Sequence, residues 1–343
     1  LMTLGGLAFM QKQHPEALAR YEQAFSILQE SSPDDPAASF GVLLNISSVH
    51  RLDGHPQLAA DALRLYLDIV DRAPEPEAVD PARLSWVRGE IAMLERRYDE
   101  ALVEYQRAAL GEQVQRYEET RGLLGMAIAL YHLGRLEESV SVHRRVLELL
   151  APKPGTTADL IDLNDRVATL QSLARTLAAR GDHEAALAEL RLARELVVAL
   201  PDPTETAVID ADLGAELGAL GRSDEALPSL RAAVRMLEAA AVDTELLVAG
   251  LVSLGDAELA TGDRGAALEL AERAVRRIEA HEGEPPPGAA RAWFLLARSL
   301  GTSPAERARA RALARRAQEQ WAVEGARSQR DLERVMAWLA AAG

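Results

Sequence analysis

Histidine is the residue best suited to bind metal or relay protons near neutral pH, and the seven in this chain are His14, His50, His55, His132, His143, His183 and His281. No two of them form an HExxH or another ligand pair on one helix face, which a shared ion would require. His50 and His55 are neighbours only because they flank a turn. Lys153-Pro-Gly-Thr-Thr holds the residue types of a phosphate-binding loop, but without the GxxxxGK[ST] order or a preceding strand, so it is expected to be a plain loop. The acidic pairs Glu118-Glu119 and Glu137-Glu138 lie on ordinary helix surfaces, with nothing to raise a carboxyl pKa for acid-base work. The chain has no Cys, which removes thiolate nucleophiles, thiolate metal sites and disulfides. Asn45-Ile-Ser47 matches a glycosylation acceptor but falls inside a predicted helix, with no secretion signal ahead of it. The expectation is a protein with no catalytic residues, no metal and no cofactor.

Composition points to helices built for another purpose. Apolar residues make up 48 % of the 343, dominated by Ala and Leu, and aromatics only 4 %, the profile of a long helical chain. A formal charge of −15 repels polyanions and argues against general nucleic-acid binding. The longest apolar run, Leu123 to Leu133, is interrupted by His132 and is about half the ~20 residues a membrane span needs. The opening Leu1-Met2-Thr3 has no basic region or cleavage pattern, so no signal peptide is expected, and a cytoplasmic address is favoured. Lys occurs only at Lys12 and Lys153, which suggests a bacterial, GC-rich source.

A repeat organises the whole chain. A small residue recurs at Ala17, Ala59, Ala101, Ser139, Ala186, Ala226 and Ala267, a period near 42, and twelve residues before each stands another at Gly5, Ser47, Gly89, Ala127, Ala174, Gly214 and Gly255. Two antiparallel helices approach closely where both present small side chains, so each repeat is expected to be one helix pair. Asp35-Pro36, Asp80-Pro81 and Ser303-Pro304 read as helix starts, while Gly134, Gly181, Gly221 and Gly262 break the turns inside pairs. Pro33, Pro74, Pro152, Pro201 and Pro285 stand where second helices must stop.

The expected domains are a solenoid over 1–326, with repeats near 1–33, 37–73, 81–115, 119–151, 158–200, 205–240, 244–281 and 289–323, and a capping helix over 327–343 that starts at a capping box, Ser328-Gln-Arg-Asp331. Leu1 falls inside the first helix, so that end is expected to be trimmed. Leu1, Leu4 and Leu7 would then form an exposed apolar end capable of pairing two copies.

The pattern of two small residues twelve apart, with Tyr or Leu four residues later and Ala seven later, resembles the tetratricopeptide repeat. Tyr21 and Ala24, Tyr105 and Ala108, Leu190 and Ala193, and Leu230 and Ala233 carry it most clearly, over about residues 1–320. The long period is similar to the kinesin-light-chain style and to arrays attached to bacterial signalling ATPases and transcription regulators. The resemblance implies an all-α, right-handed superhelical solenoid of about eight helix pairs plus a C-terminal capping helix, binding a protein or peptide along first helices that line a concave groove. It also leaves room for a second reading, a partner-sensing segment of a larger regulator or enzyme.

Groove positions three before the first-helix small residue are Met2, Leu44, Trp86, Leu124, Gln171, Ala211, Leu251 and Phe294; those one after include Glu90, Ile128, Arg175, Asp256 and Arg298. Arg83 and Arg121 flank the apolar N-terminal strip, with Asn45 and Tyr131 near it. The expected partner-binding set is therefore Leu44, Asn45, Arg83, Trp86, Glu90, Arg121, Leu124, Ile128, Tyr131, Arg175 and Arg298, suited to a peptide with apolar anchors and acidic groups. The Lys and Asn of the family's familiar clamp for acidic C-termini are not supplied. A further basic run, Arg307, Arg309, Arg311, Arg315 and Arg316, lacks interleaved aromatics and is expected to be a solvated face rather than a nucleic-acid site.

Overall fold

A computed structural model describes the chain except residues 12, 111–115, 153–159, 201–202, 241–243, 281–284, 287, 302 and 342–343. The Lys153-Pro-Gly-Thr-Thr loop, Pro201 and His281 lie outside the described residues. All regular structure among the described residues is helical: α1 (Met2–Met10), α2 (His14–Ser31), α3 (Pro36–Leu52), α4 (Pro56–Arg72), α5 (Pro81–Leu94), α6 (Tyr98–Leu110), α7 (Arg116–His132), α8 (Leu136–Leu149), α9 (Leu160–Arg180), α10 (His183–Val197), α11 (Pro203–Ala219), α12 (Ser223–Ala239), α13 (Thr244–Ala260), α14 (Arg264–Glu279), α15 (Ala289–Ser299), α16 (Pro304–Glu324) and α17 (Gln329–Ala341), with short 3₁₀ turns at Pro76–Ala78 and Gly325–Ser328. None of these helices is long and apolar enough to cross a membrane.

The chain divides into two compact units, Leu1–Leu130 and Tyr131–Gly343. In the first, α1 packs on α2, α3 on α4 and α5 on α6; in the second, α9 packs on α10, α11 on α12, α13 on α14 and α15 on α16, and these pairs pack on one another in chain order.

Helix starts follow the capping chemistry of the sequence. Asp35 Oδ1 accepts from the backbone N–H of Ala37 at 2.9 Å and of Ala38 at 3.1 Å, and Asp80 Oδ1 from that of Ala82 at 2.9 Å. Ser303 and Glu306 form a reciprocal capping box at the start of α16. Ser328, read from the sequence as a box for α17, instead donates its hydroxyl back to Glu324 Oε2 at 2.6 Å, because the 3₁₀ turn carries it alongside the end of α16. Losing a side-chain acceptor at a helix start costs about 1 kcal/mol, so Asp35→Ala should lower the unfolding free energy by about that amount in a urea titration.

The turns inside pairs use left-handed backbone. Gly134, Gly181, Gly221 and Gly262 have φ of 73°, 97°, 73° and 98°, and Gly54 has 77°. Between α5 and α6 Arg96 takes φ 60° without a glycine.

The small-residue register works as a socket and a knob. In the first unit the Tyr21 ring lies against Gly5, where a β-carbon would be 2.6 Å from Cε1, and the Tyr105 ring lies against Gly89 at 2.7 Å. Gly125 of α7 also lies against the Tyr105 ring. In the second unit Leu230 fills the space over Gly214. The second-helix partners Ala17, Ala59, Ala101, Ser139, Ala186 and Ala267 are completely buried, as expected for positions where interior packing leaves no spare methylene.

Candidate functional site

In the first unit α3, α4, α5 and α7 bring together aromatic rings and two guanidinium groups. The Phe40 ring of α3 packs on the buried Tyr66 ring of α4 with centroids 5.1 Å apart, and edge-on to Trp86 of α5 at 6.5 Å. Arg83, three residues before Trp86 on α5, lies over Phe40 with its guanidinium carbon 4.9 Å from the ring centre. Arg121 of α7 lies over Trp86 at 3.7 Å and over Tyr117 at 5.4 Å, and its Nη1 donates to the Tyr117 hydroxyl at 3.1 Å. The result is an alternating series, Tyr66, Phe40 with Arg83, Trp86, Arg121, Tyr117, spanning four helices. Each guanidinium is attracted to the negative face of a ring and keeps N–H edges directed elsewhere.

The local reason is register. Arg83 and Arg121 stand six residues before the small residues Gly89 and Ala127, so the same helix position is basic in two successive pairs. Each reaches back to an aromatic ring on the preceding first helix, Arg83 to Phe40 and Arg121 to Trp86. Several other arginines of this unit have carboxylate partners, Arg72 with Asp34 at 3.1 Å and Arg64 with Asp61 at 2.7 Å among them, although, within the described residues, Arg51 and Arg88 do not. Arg83 and Arg121 have none among the described residues.

The expected site residues separate into groups. Arg83, Trp86 and Arg121 meet directly, but Trp86 is only 9 % exposed, because Arg121 covers its face; the guanidinium, more than the indole, meets solvent. Leu44, Asn45 and Leu124 are half-buried, and Ile128 is exposed. Glu90 accepts a 2.7 Å hydrogen bond from the buried Tyr105 hydroxyl, a contact that anchors the knob between α5 and α7. Burial first, then the Glu90 charge, pushes the Tyr105 phenol well above its ordinary pKa, so it stays a donor. Tyr131, Arg175 and Arg298 belong to the second unit. Tyr131 stacks edge-on with His132, Arg175 pairs with Asp212 at 3.6 Å, and Arg298 donates to Asp256 at 2.7 Å while lying over Phe294.

Sequence reasoning missed Phe40, Tyr66 and Tyr117. The recurring basic position was visible, but which ring each arginine would find depends on the stagger between pairs, which the period alone does not state. The α16 arginines are partly consumed by internal contacts, Arg309 with Glu272 at 3.6 Å and Arg316 over Trp293 at 3.9 Å. Among the described residues no three His, Asp or Glu side chains are placed to hold one metal ion.

No protein-family model and no curated protein matches the sequence. Among solved structures the chain is similar to RapI in its apo form, at 14 % identity and a TM-score of 0.60, covering 94 % of this chain and 85 % of that one. It is similar to a Rap protein complexed with competence and sporulation factor, at 17 % identity and a TM-score of 0.53 over 96 % of this chain and 100 % of that one. A tetratricopeptide repeat protein from Parabacteroides merdae ATCC 43184 aligns at 15 % identity and a TM-score of 0.50, over 87 % and 99 %. Helix pairing, the small-residue register and these likenesses agree on the fold: the chain is a tetratricopeptide-like, all-α helical-repeat protein.

Proposed function

We propose that the protein is a non-catalytic interaction scaffold whose first unit binds a peptide segment of a partner across α3, α5 and α7. The observation that carries this reading is the pair Arg83 and Arg121, held in place by Phe40 and Trp86 and without carboxylate partners in a chain of net charge −15. Stacking fixes the side chains in advance, so less entropy is lost when their N–H edges engage an acceptor. Leu44 on α3 and Leu124 and Ile128 on α7 offer apolar contact. The complementary ligand carries carboxylates beside large apolar side chains. A fold-level parallel is the Rap protein complexed with competence and sporulation factor.

The test is selection from a displayed random-peptide library against the whole chain, counter-selected on Arg121→Glu. Enriched peptides should combine Asp or Glu with Leu, Ile or Phe and lose at least about tenfold in affinity for the variant, the expected scale for reversing a charge at an interface. Enrichment of basic or purely apolar peptides, or equal retention by the variant, would remove the basis of the reading.

A further inference from the structure

A helix at the end of a repeat stack is expected to touch only its neighbours. α17 does pack on α16, and its Trp338 meets Phe294 of α15 edge-on with ring centroids 6.0 Å apart. Yet Arg330, in its first turn, also donates from Nη2 to the backbone carbonyl of Arg180 at 2.6 Å, 150 positions earlier in the chain. Three helix pairs, α11 with α12, α13 with α14 and α15 with α16, stand between the two groups, each packed on the next. The second unit therefore curves until its last helix meets the turn between α9 and α10. The contact is fitted on both sides. Arg180 ends α9, where carbonyls lack helical partners and carry partial negative charge. Its own guanidinium is balanced locally, donating from Nε to Asp182 Oδ2 at 2.6 Å. The Arg330 guanidinium lies against Gly181, where a β-carbon would collide with it. At Gly221 and Gly262, which hold the same left-handed turn position in the next two pairs, nothing lies within 4 Å of such a carbon.

We infer that α17 is a strap that closes the second unit on itself, with Arg330 as its clasp and the turn Gly325–Ser328 as its hinge. In α17 only Val335 is fully buried, with Leu332, Trp338 and Leu339 partly so. A helix held by so few buried contacts opens at a much lower cost than the unit unfolds. At the hinge Gly325 takes φ 76° and ψ −145°, a conformation open to glycine and strained for other residues, and the bond from the Ser328 hydroxyl to Glu324 spans the same turn. The closed strap shields one side of Phe294, which stands at the repeat position that Trp86 holds in the first unit. Opening exposes that ring together with Leu332, Trp338 and Leu339, so the clasp controls access to the last groove position of the second unit.

The chain has no Cys, so nitroxide labels can be placed at Ala188→Cys of α10 and Ala337→Cys of α17, both exposed, and their separation measured by double electron–electron resonance. One narrow distance distribution is expected in the otherwise unchanged chain. Arg330→Ala should broaden it and speed amide exchange in α17 by about tenfold, the scale of one hydrogen bond from a charged donor, while exchange in α11 to α14 stays the same. Gly181→Ala should broaden the distribution too, by displacing the guanidinium. Gly221→Ala, which places a side chain in the same left-handed turn without a neighbour to displace, should leave it narrow. A broad distribution before any substitution, a narrow one in Arg330→Ala, or equal broadening by both glycine variants would each overturn the inference. So would faster exchange spread evenly over the second unit, which would make Arg330 a general packing contact and not a clasp.

Discussion

Gly125→Ala is expected to destabilise the first unit by about 2 kcal/mol, while Gly41→Ala stabilises it by up to about 1 kcal/mol, although both put the same methyl group into the middle of a helix. Alanine is the better helix former by about 1 kcal/mol at either site. At Gly41 of α3 nothing lies within 4 Å of the added carbon, so only propensity acts. At Gly125 the carbon would stand 2.4, 2.5 and 2.6 Å from Cε1, Cζ and Cδ1 of Tyr105. That ring has little room to move, being 1 % exposed, packed against Gly89 as well and tied through its hydroxyl to Glu90. Overpacking therefore exceeds the propensity gain, and the sign reverses. Urea unfolding of the two single variants measures this. In a Tyr105→Leu background the cost of Gly125→Ala should shrink or change sign, since residues in contact are coupled; an unchanged cost would locate the clash elsewhere.

The second large effect is a loss of stability of the second unit in mild acid, caused by His143. This histidine is 1 % exposed in α8; Nδ1 donates to the Ser139 carbonyl at 2.9 Å and lies 3.4 Å from the Ser139 hydroxyl, and Nε2 is buried with no partner. Across from α8, Thr176 of α9 meets the Ser139 hydroxyl at 3.4 Å, so the neighbours named here are neutral. Burial lowers the His143 pKa from 6.5 to about 4, only weakly opposed by the Ser139 carbonyl.

The unfolded chain therefore takes up this proton at higher pH than the folded one. The contribution is fully present above pH 6.5, is lost progressively as pH falls toward 4, and changes no further below that. At about pH 5 the loss is about 2 kcal/mol, rising to about 3 kcal/mol at the lower limit. Carboxylates also titrate in this range, so the relevant quantity is the difference between the wild type and His143→Leu. The variant should lose less stability between pH 7.5 and about pH 5 by that amount in paired urea titrations. Parallel curves would mean that the ring is protonated or hydrated in the fold.

Both results trace to one register, which shows what the sequence could and could not disclose. Tyr105 and His143 occupy the same position, four residues past Ala101 and Ser139, so their burial follows from the repeat once it is aligned. The paired small residues, the Asp-Pro helix starts and the turn glycines were legible for the same reason: each depends on neighbours close in sequence. Gly89 and Gly125 being glycine rather than alanine was not, because it depends on how far a tyrosine ring from another helix reaches.

The binding face was legible in part. Arg83 and Arg121 stand out because a basic residue recurs at one position, but the rings that hold them come from other helices, 43 positions away for Phe40 and 35 for Trp86. The groove position of Trp86 leaves open in the sequence whether the ring anchors a partner or packs between first helices, since it does not reveal that the next arginine will lie on top of it. Glu90, also a groove position, accepts a hydrogen bond from Tyr105 that its place in the repeat does not disclose.

The most direct test of the scaffold account is the affinity of a selected acidic peptide for the wild-type chain and for Arg83→Gln/Arg121→Gln, measured by fluorescence anisotropy with thermal unfolding in parallel. Arg144→Gln, which alters an exposed arginine of α8 in the second unit, serves as control. The account predicts a loss of about a hundredfold in the double variant, the scale of removing two charge-assisted contacts, with the unfolding midpoint preserved and the control unaffected. Equal affinity of a folded double variant would contradict it.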